Sequence, residues 1–182
     1  MAVVGNESTL RTMLACVDAE YQSAEGPAVA SCVVYERCDS AGSREERVVV
    51  VPRVAPYKPG QFYERELPCI LKVLEEVQTP IDIVIVDAYV WLDEEETPGL
   101  GAHLHRALRG RVAVIGVAKE PFGDYQGQRR VVRGGSQKPL FITGVGIDVD
   151  VAAKCVQRMH GAHRVPTLLR RADQLCRTKP FK

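Results

Sequence analysis

No stretch of 18 apolar residues occurs in this chain, so no membrane-spanning helix is expected. The first eleven residues lack the charged-then-apolar order of a signal peptide and contain Glu7, so no secretory leader is expected either. There is no excess of one charge. Lys and Arg number 24 against 23 Asp and Glu, a net +1, which excludes a histone-like polycation but leaves room for local basic patches. No Cys-x-x-Cys pair is present among Cys16, Cys32, Cys38, Cys69, Cys155 and Cys176, and their spacing does not suit zinc. Four of the six lie in apolar patterns, which suits reduced core cysteines and points to a cytoplasmic protein. The histidine pairs His103/His105 and His160/His163 have no evident co-ligands and read as surface helix residues. Repeats and low-complexity tracts are also missing.

What is present is enough apolar material for one core. At 46% hydrophobic over 182 residues, a single domain spanning 1–182 is expected. Three strands come first. Residues 12–20 are short, apolar and acid-terminated; Ala28–Glu36 and Arg47–Val54 are Val-rich. Gly26-Pro27 and the segment 38–43 supply turns, so these strands form an antiparallel meander. Pro56 and Pro59 cannot continue a ladder, since each lacks an N–H. Phe62, Glu66, Ile70, Val73, Leu74 and Val77 follow at helical spacing, and Thr79-Pro80 stops that helix. Ile81–Val86 and Arg111–Ala118 are nearly continuous apolar strands, as expected for burial on both faces, with a helix over 99–108 between them. A strand–helix–strand unit of that kind pairs in parallel. Short strands at 128–132 and 139–143 and helices at 151–159 and 167–176 complete the chain. The order predicts an α/β fold of the ribonuclease-H-like kind: a mixed sheet with antiparallel strands 1–3 followed by parallel strands, and helices on both faces.

Three acids stand where an acid is costly. Asp18 ends the run Met13–Val17, Asp87 ends the run Ile81–Val86, and Glu66 lies within the apolar stretch 61–71. A buried unpaired carboxylate costs several kcal/mol, on the order of 3–5 kcal/mol. A hard divalent cation such as Mg²⁺ would offset that charge, and metal-assisted phosphodiester chemistry uses such a set. The competing readings are a strand-end turn acid for Asp18 and a helix-surface pair with Arg65 or Lys72 for Glu66.

Ordered segments carry a family resemblance. Val17-Asp18, Pro56-Tyr57-Lys58-Pro59-Gly60, Arg65-Glu66-Leu67-Pro68, Val86-Asp87, Ile115–Lys119, Arg133-Gly134, Pro139–Ile142, and Arg164-Val165-Pro166 with Arg170–Asp173 resemble, in order and spacing, the motifs of the endonuclease V family. The resemblance covers about residues 12–177. It implies a metal-dependent endonuclease that hydrolyses a phosphodiester near a deaminated purine, chiefly inosine, in DNA or RNA. The products would carry a 3′-hydroxyl and a 5′-phosphate. Carried over by position, Asp18, Glu66 and Asp87 would be metal ligands for Mg²⁺, with Mn²⁺ as substitute. Lys119 would neutralise charge near the scissile phosphate. Tyr57 would be the wedge that fills the gap left by a flipped base. Arg133 and Lys138, in a basic stretch with Arg129 and Arg130, would contact nucleic acid.

The chain departs from the family twice. After Asp87 the family's glycine-rich loop and His-Pro are replaced by Ala88-Tyr89-Val90-Trp91-Leu92 and the acids 93–96. The family's Gly-His-Arg falls on Gly144, Val145 and Gly146, with Asp148 nearby as an extra acid, read either as a partial replacement or, with Asp150, as a helix N-terminal acid. Two further functions stay open: a nucleic-acid-binding or regulatory homologue, and a nuclease for another lesion or structure.

Overall fold

The computed structural model describes residues 12–23, 26–56 and 58–178; Tyr57 lies outside them. Three strands, β1 (Leu14–Tyr21), β2 (Ala28–Tyr35) and β3 (Glu45–Val51), form the expected antiparallel meander. After α1 (Tyr63–Glu75) come β4 (Ile83–Val86), α2 (Leu100–Ala107) and β5 (Ala113–Ala118). The chain ends with β6 (Arg129–Val131), β7 (Leu140–Val145), α3 (Val149–Arg158) and α4 (Thr167–Thr178). All seven strands share one sheet in the order β3-β2-β1-β4-β5-β7-β6. The pairs β1–β4 and β4–β5 are parallel, while β7 runs antiparallel to β5 and to β6.

The unbroken apolar runs have a plain cause. Along β1, Ala15 and Val17 face a core shared with Ile70 and Val73 of α1 and Leu104 of α2. Leu14 and Cys16 face the opposite core, with Val156 of α3 and Leu168 and Ala172 of α4. Successive side chains point to opposite faces, and both faces are covered, so no position of the central strands can be polar without cost.

As the expected span 12–20 implied, β1 runs past Asp18, beside β2 to Tyr21. What ends just before Asp18 is the parallel ladder with β4, whose last pair is Val17 with Val86. Asp18 and Asp87 therefore leave adjacent strands at the same level, one still hydrogen-bonded to β2 and the other opening a loop.

Four cysteines, Cys16, Cys32, Cys69 and Cys176, are free and buried. Cys38 and Cys155 are joined by a disulfide that ties the β2–β3 connection to α3. A sequence separation of 117 residues hid that pairing from any spacing argument.

Arg133 corrects a sequence expectation. It is 6% exposed, and its guanidinium donates to the carbonyls of His163 at 2.7 Å, Gly161 at 3.1 Å and Arg164 at 3.3 Å, and to that of Met159. These carbonyls belong to the turn after α3, so the side chain is committed to the interior instead of a nucleic-acid surface. Gly134 beside it has φ +63°, and a Cβ there would stand 2.2 Å from the His163 carbonyl carbon. Replacing Arg133 with Ala is expected to cost about 3 kcal/mol, because it removes charge-assisted bonds and leaves buried carbonyls unpaired. Urea unfolding would measure it, and a loss below about 0.5 kcal/mol would contradict the interior role.

Candidate active site

The end of the β1–β4 ladder brings Asp18 and Asp87 together, and α1 brings Glu66 toward them. Asp18 is raised to about 7 by burial first; the Ala19 amide, which donates to its Oδ1 at 2.9 Å, opposes the shift, Asp87 and Asp173 add to it, and Lys119 opposes it. Glu66 is raised to about 8, again by burial first, then by the charges of Asp18 and Asp87. The charge of Asp87 raises both groups and that of Asp18 raises Glu66, so the two carboxyls belong to one electrostatic unit.

Lys119 follows the last residue of β5 and pairs with Asp87 Oδ2. That ion pair is half-exposed, with 30% of the Asp87 side chain and 46% of the Lys119 side chain open to solvent. The backbone beneath is fixed from both sides. Gly116 of β5 allows the loop after Asp87 to approach, since a Cβ would stand 2.5 Å from the Ala88 carbonyl oxygen. Thr143 Oγ1 accepts from the Val90 amide at 2.8 Å. Arg164 donates to the Lys119 carbonyl and, at 2.8 Å, to that of Pro139.

Sequence reasoning missed the fourth wall. Asp18, Asp87 and Lys119 line a cavity of about 210 Å³ whose other side is α4 and the turn before it: Val165, Leu169, Arg170, Asp173 and Arg177. Asp173 Oδ1 accepts from Arg177 Nε at 2.8 Å. The Cys176 thiol donates to the Asp18 carbonyl at 3.3 Å, which anchors α4 over β1. The motif 170–173 was visible in the sequence, but nothing along the chain says that this helix crosses the end of the first strand.

Lys138 is exposed on the β6–β7 connection. It lies at the same sheet edge as Lys119, because Ala118 pairs with Phe141. Asp148 does not belong to the site. It caps α3, accepting from the amides of Asp150 at 2.9 Å and Val151 at 3.1 Å. The strand β7 runs back along β5, and Val145 pairs with Val114 at the far end. Four residue steps from Val114 to Ala118 amount to about 13 Å of strand. Val145, Gly146 and Asp148 therefore sit at the edge opposite Asp87.

The donor chemistry suits a hard divalent cation: three carboxylates, two of them destabilised as anions by burial and mutual repulsion. Among the described residues, no three His, Cys, Asp or Glu side chains are grouped closely enough to hold an ion as they stand. Asp87 is turned onto the Lys119 ammonium instead.

A sequence model of the endonuclease V family matches residues 3–134. The chain belongs to the endonuclease V family. Membership gives it the class of an endonuclease, a hydrolase. It is 33% identical to an endonuclease V of Nocardia farcinica over 90% of this chain and 79% of that protein. The crystal structure of an endonuclease V from Streptomyces avermitilis superposes with a TM-score of 0.74 at 27% identity, covering 92% of this chain and 80% of that one. A Ciona intestinalis endonuclease V, crystallised with a 24-mer DNA containing an inosine followed by a ribo-adenosine, superposes with a TM-score of 0.77 at 18% identity, over 93% and 86% of the two chains. Members of the family thus share the ribonuclease-H-like sheet and helices found here. Among the described residues no helix is long and apolar enough to cross a membrane.

The raised carboxyls make a stability prediction. A carboxyl with a raised folded pKa binds its proton more tightly folded than unfolded, so its contribution is most favourable at low pH and is lost as pH rises through the folded value. In metal-free buffer, stability should therefore fall between about pH 4 and pH 8 from the Asp18 and Glu66 carboxyls. D18N and E66Q should each stabilise the protein above pH 8 by on the order of 2 kcal/mol and have little effect near pH 4. Thermal melts across that range measure this, and identical pH profiles for wild type and both variants would contradict the electrostatic unit.

Proposed function

We propose that the chain is a metal-dependent endonuclease that hydrolyses a phosphodiester near a deaminated purine in DNA or RNA. The observation that carries this reading is the convergence of Asp18, Glu66 and Asp87 from three separate elements, with two of the three raised far above ordinary carboxyls. The Ciona relative's inosine-containing DNA supports the substrate class.

Asp18, Glu66 and Asp87 would hold the divalent cation, Mg²⁺ or Mn²⁺. Bound there, it supplies a lowered pKa for an attacking water and charge neutralisation on phosphate oxygens. The remaining work falls to the protein. Lys119, already beside Asp87, balances charge on the scissile phosphate. Arg170 and Arg177 on α4 present cations along the cavity wall and draw the strand's phosphates toward it. Asp173 faces the same cavity as a fourth acid. Lys138 contacts a more distant phosphate, and Tyr57, by position in the family's motif, is the wedge. Attack at phosphorus breaks the bond to the 3′-oxygen, leaving a 3′-hydroxyl and a 5′-phosphate.

A second reading concerns the base. Tyr89 is 8% exposed and packs with Ala118, Phe141 and Leu92. Its hydroxyl donates to the Glu120 carbonyl at 2.9 Å and accepts from the Phe122 amide at 3.2 Å. This ring stands in the loop after Asp87, where the family has glycines, and favours a modified base other than hypoxanthine or a structured substrate.

Incubation of inosine-containing single strands of DNA and RNA with Mg²⁺ or Mn²⁺ should give one internal cut, mapped by its 3′-hydroxyl and 5′-phosphate ends. D87A should abolish it, and K119A should slow it by about 100-fold. Products that persist unchanged in D87A would overturn the assignment. Cleavage confined to other lesions in a panel of oligonucleotides would establish the second reading.

A further inference from the structure

Beside the carboxylates lies a group that the proposed chemistry does not yet use. Tyr21, at the end of β1, has a buried hydroxyl without a hydrogen-bond partner among the described residues. Its ring lies under the Arg65 guanidinium, with Cζ 4.0 Å from the ring centroid. Arg65 donates through Nη2 to the Ser23 carbonyl at 2.8 Å, yet its Nε is also buried and unpaired among the described residues. Two orphaned donors thus sit together on the α1 side of the sheet, where Tyr21 packs against the core that contains Cys69 and Ile70. Glu66 is the neighbour of Arg65 in the chain and lies one turn before Cys69 on α1. Burial raises the Tyr21 phenol above its ordinary value, and the charge of Glu66 raises it further.

A buried donor without an acceptor costs about 1–3 kcal/mol, and a buried carboxylate without a donor costs at least as much. Tyrosine at this place therefore has a liability that phenylalanine would lack. The liability disappears if the hydroxyl has an acceptor in another state of the same site. Asp18 is an unsuitable acceptor, because it points to the α4 side, three residues earlier on a strand whose side chains alternate. Cys69 already donates its thiol to the Arg65 carbonyl at 3.4 Å.

We infer that Tyr21 is a positioning residue for Glu66: its hydroxyl donates to the Glu66 carboxylate when that group takes up the divalent cation. A hydrogen bond to the non-ligating oxygen fixes the side chain's rotation and favours the anion that the ion requires. Arg65, stacked on the ring, holds the phenol in place. Outer partners of this kind typically contribute about 10–100-fold in metal affinity. This rests on the metal-dependent reading above, and the test separates the two.

Mn²⁺ binding to the full chain is measured by titration calorimetry without nucleic acid, for wild type and Y21F. Y21F should bind Mn²⁺ about tenfold more weakly. The Mn²⁺ concentration for half-maximal cleavage should rise by the same factor, while the rate at saturating Mn²⁺ stays within about twofold. The metal-free melting temperature should be unchanged or higher, because an orphaned hydroxyl has been removed; a merely structural tyrosine would lower it and leave Mn²⁺ affinity alone. In an E66A background the Y21F change should have no further effect on Mn²⁺ affinity. Equal affinity of Y21F and wild type overturns the positioning role alone, as does a persistent Y21F effect in E66A. Absence of Mn²⁺ binding by wild type overturns the metal reading and this role with it.

Discussion

Carboxylates gathered where water is scarce are the constraint on which the rest of this molecule turns. Asp18 and Glu66 are driven above their ordinary range chiefly by burial; the charge of Asp87 drives both further, and that of Asp18 adds to the shift of Glu66. A fold that only needed stability would place amides or apolar groups there. Keeping three acids requires rigid support, and the support is visible: a parallel ladder that stops at Val17 and Val86, a glycine at 116 that admits the next loop, and Arg164 holding the backbone of Lys119.

The two faces of the sheet contribute differently. The α1 face supplies Glu66 and the Tyr21–Arg65 stack, while the α4 face supplies Asp173, Arg170 and Arg177. Asp18 belongs to a strand covered on both sides, so the site opens where the β1–β4 ladder stops, with α4 as its wall. Lys119 occupies Asp87 in the arrangement described here. In the reaction proposed above, the same ammonium would stabilise a phosphate.

The departures from the family fall in two places with different consequences. Val145 and Gly146, which the sequence resemblance sets against the family's His and Arg, lie at the edge remote from Asp87. The loop after Asp87 is a different matter, because Tyr89 fills space directly beside the site and clamps the loop after Lys119. The first departure is remote from the carboxylates, and the second lies in the loop that follows Asp87.

The sequence alone determined the strands, their two-sided burial and the three acids. Apolar runs and their periods are local properties, and an acid at the end of such a run is conspicuous wherever the run lies. The meander and the βα alternation followed from turn residues and proline, again local. Tertiary structure decided the rest. Arg133 reads as a basic surface residue until the turn after α3 folds over it, and Asp148 reads as a spare acid until β7 is seen to run back along β5. Asp173, the Cys38–Cys155 link and the Tyr21–Glu66 neighbourhood each join segments 45 to 155 residues apart. Which side chains meet across such distances depends on how helices cross a sheet, and no period in the chain encodes that.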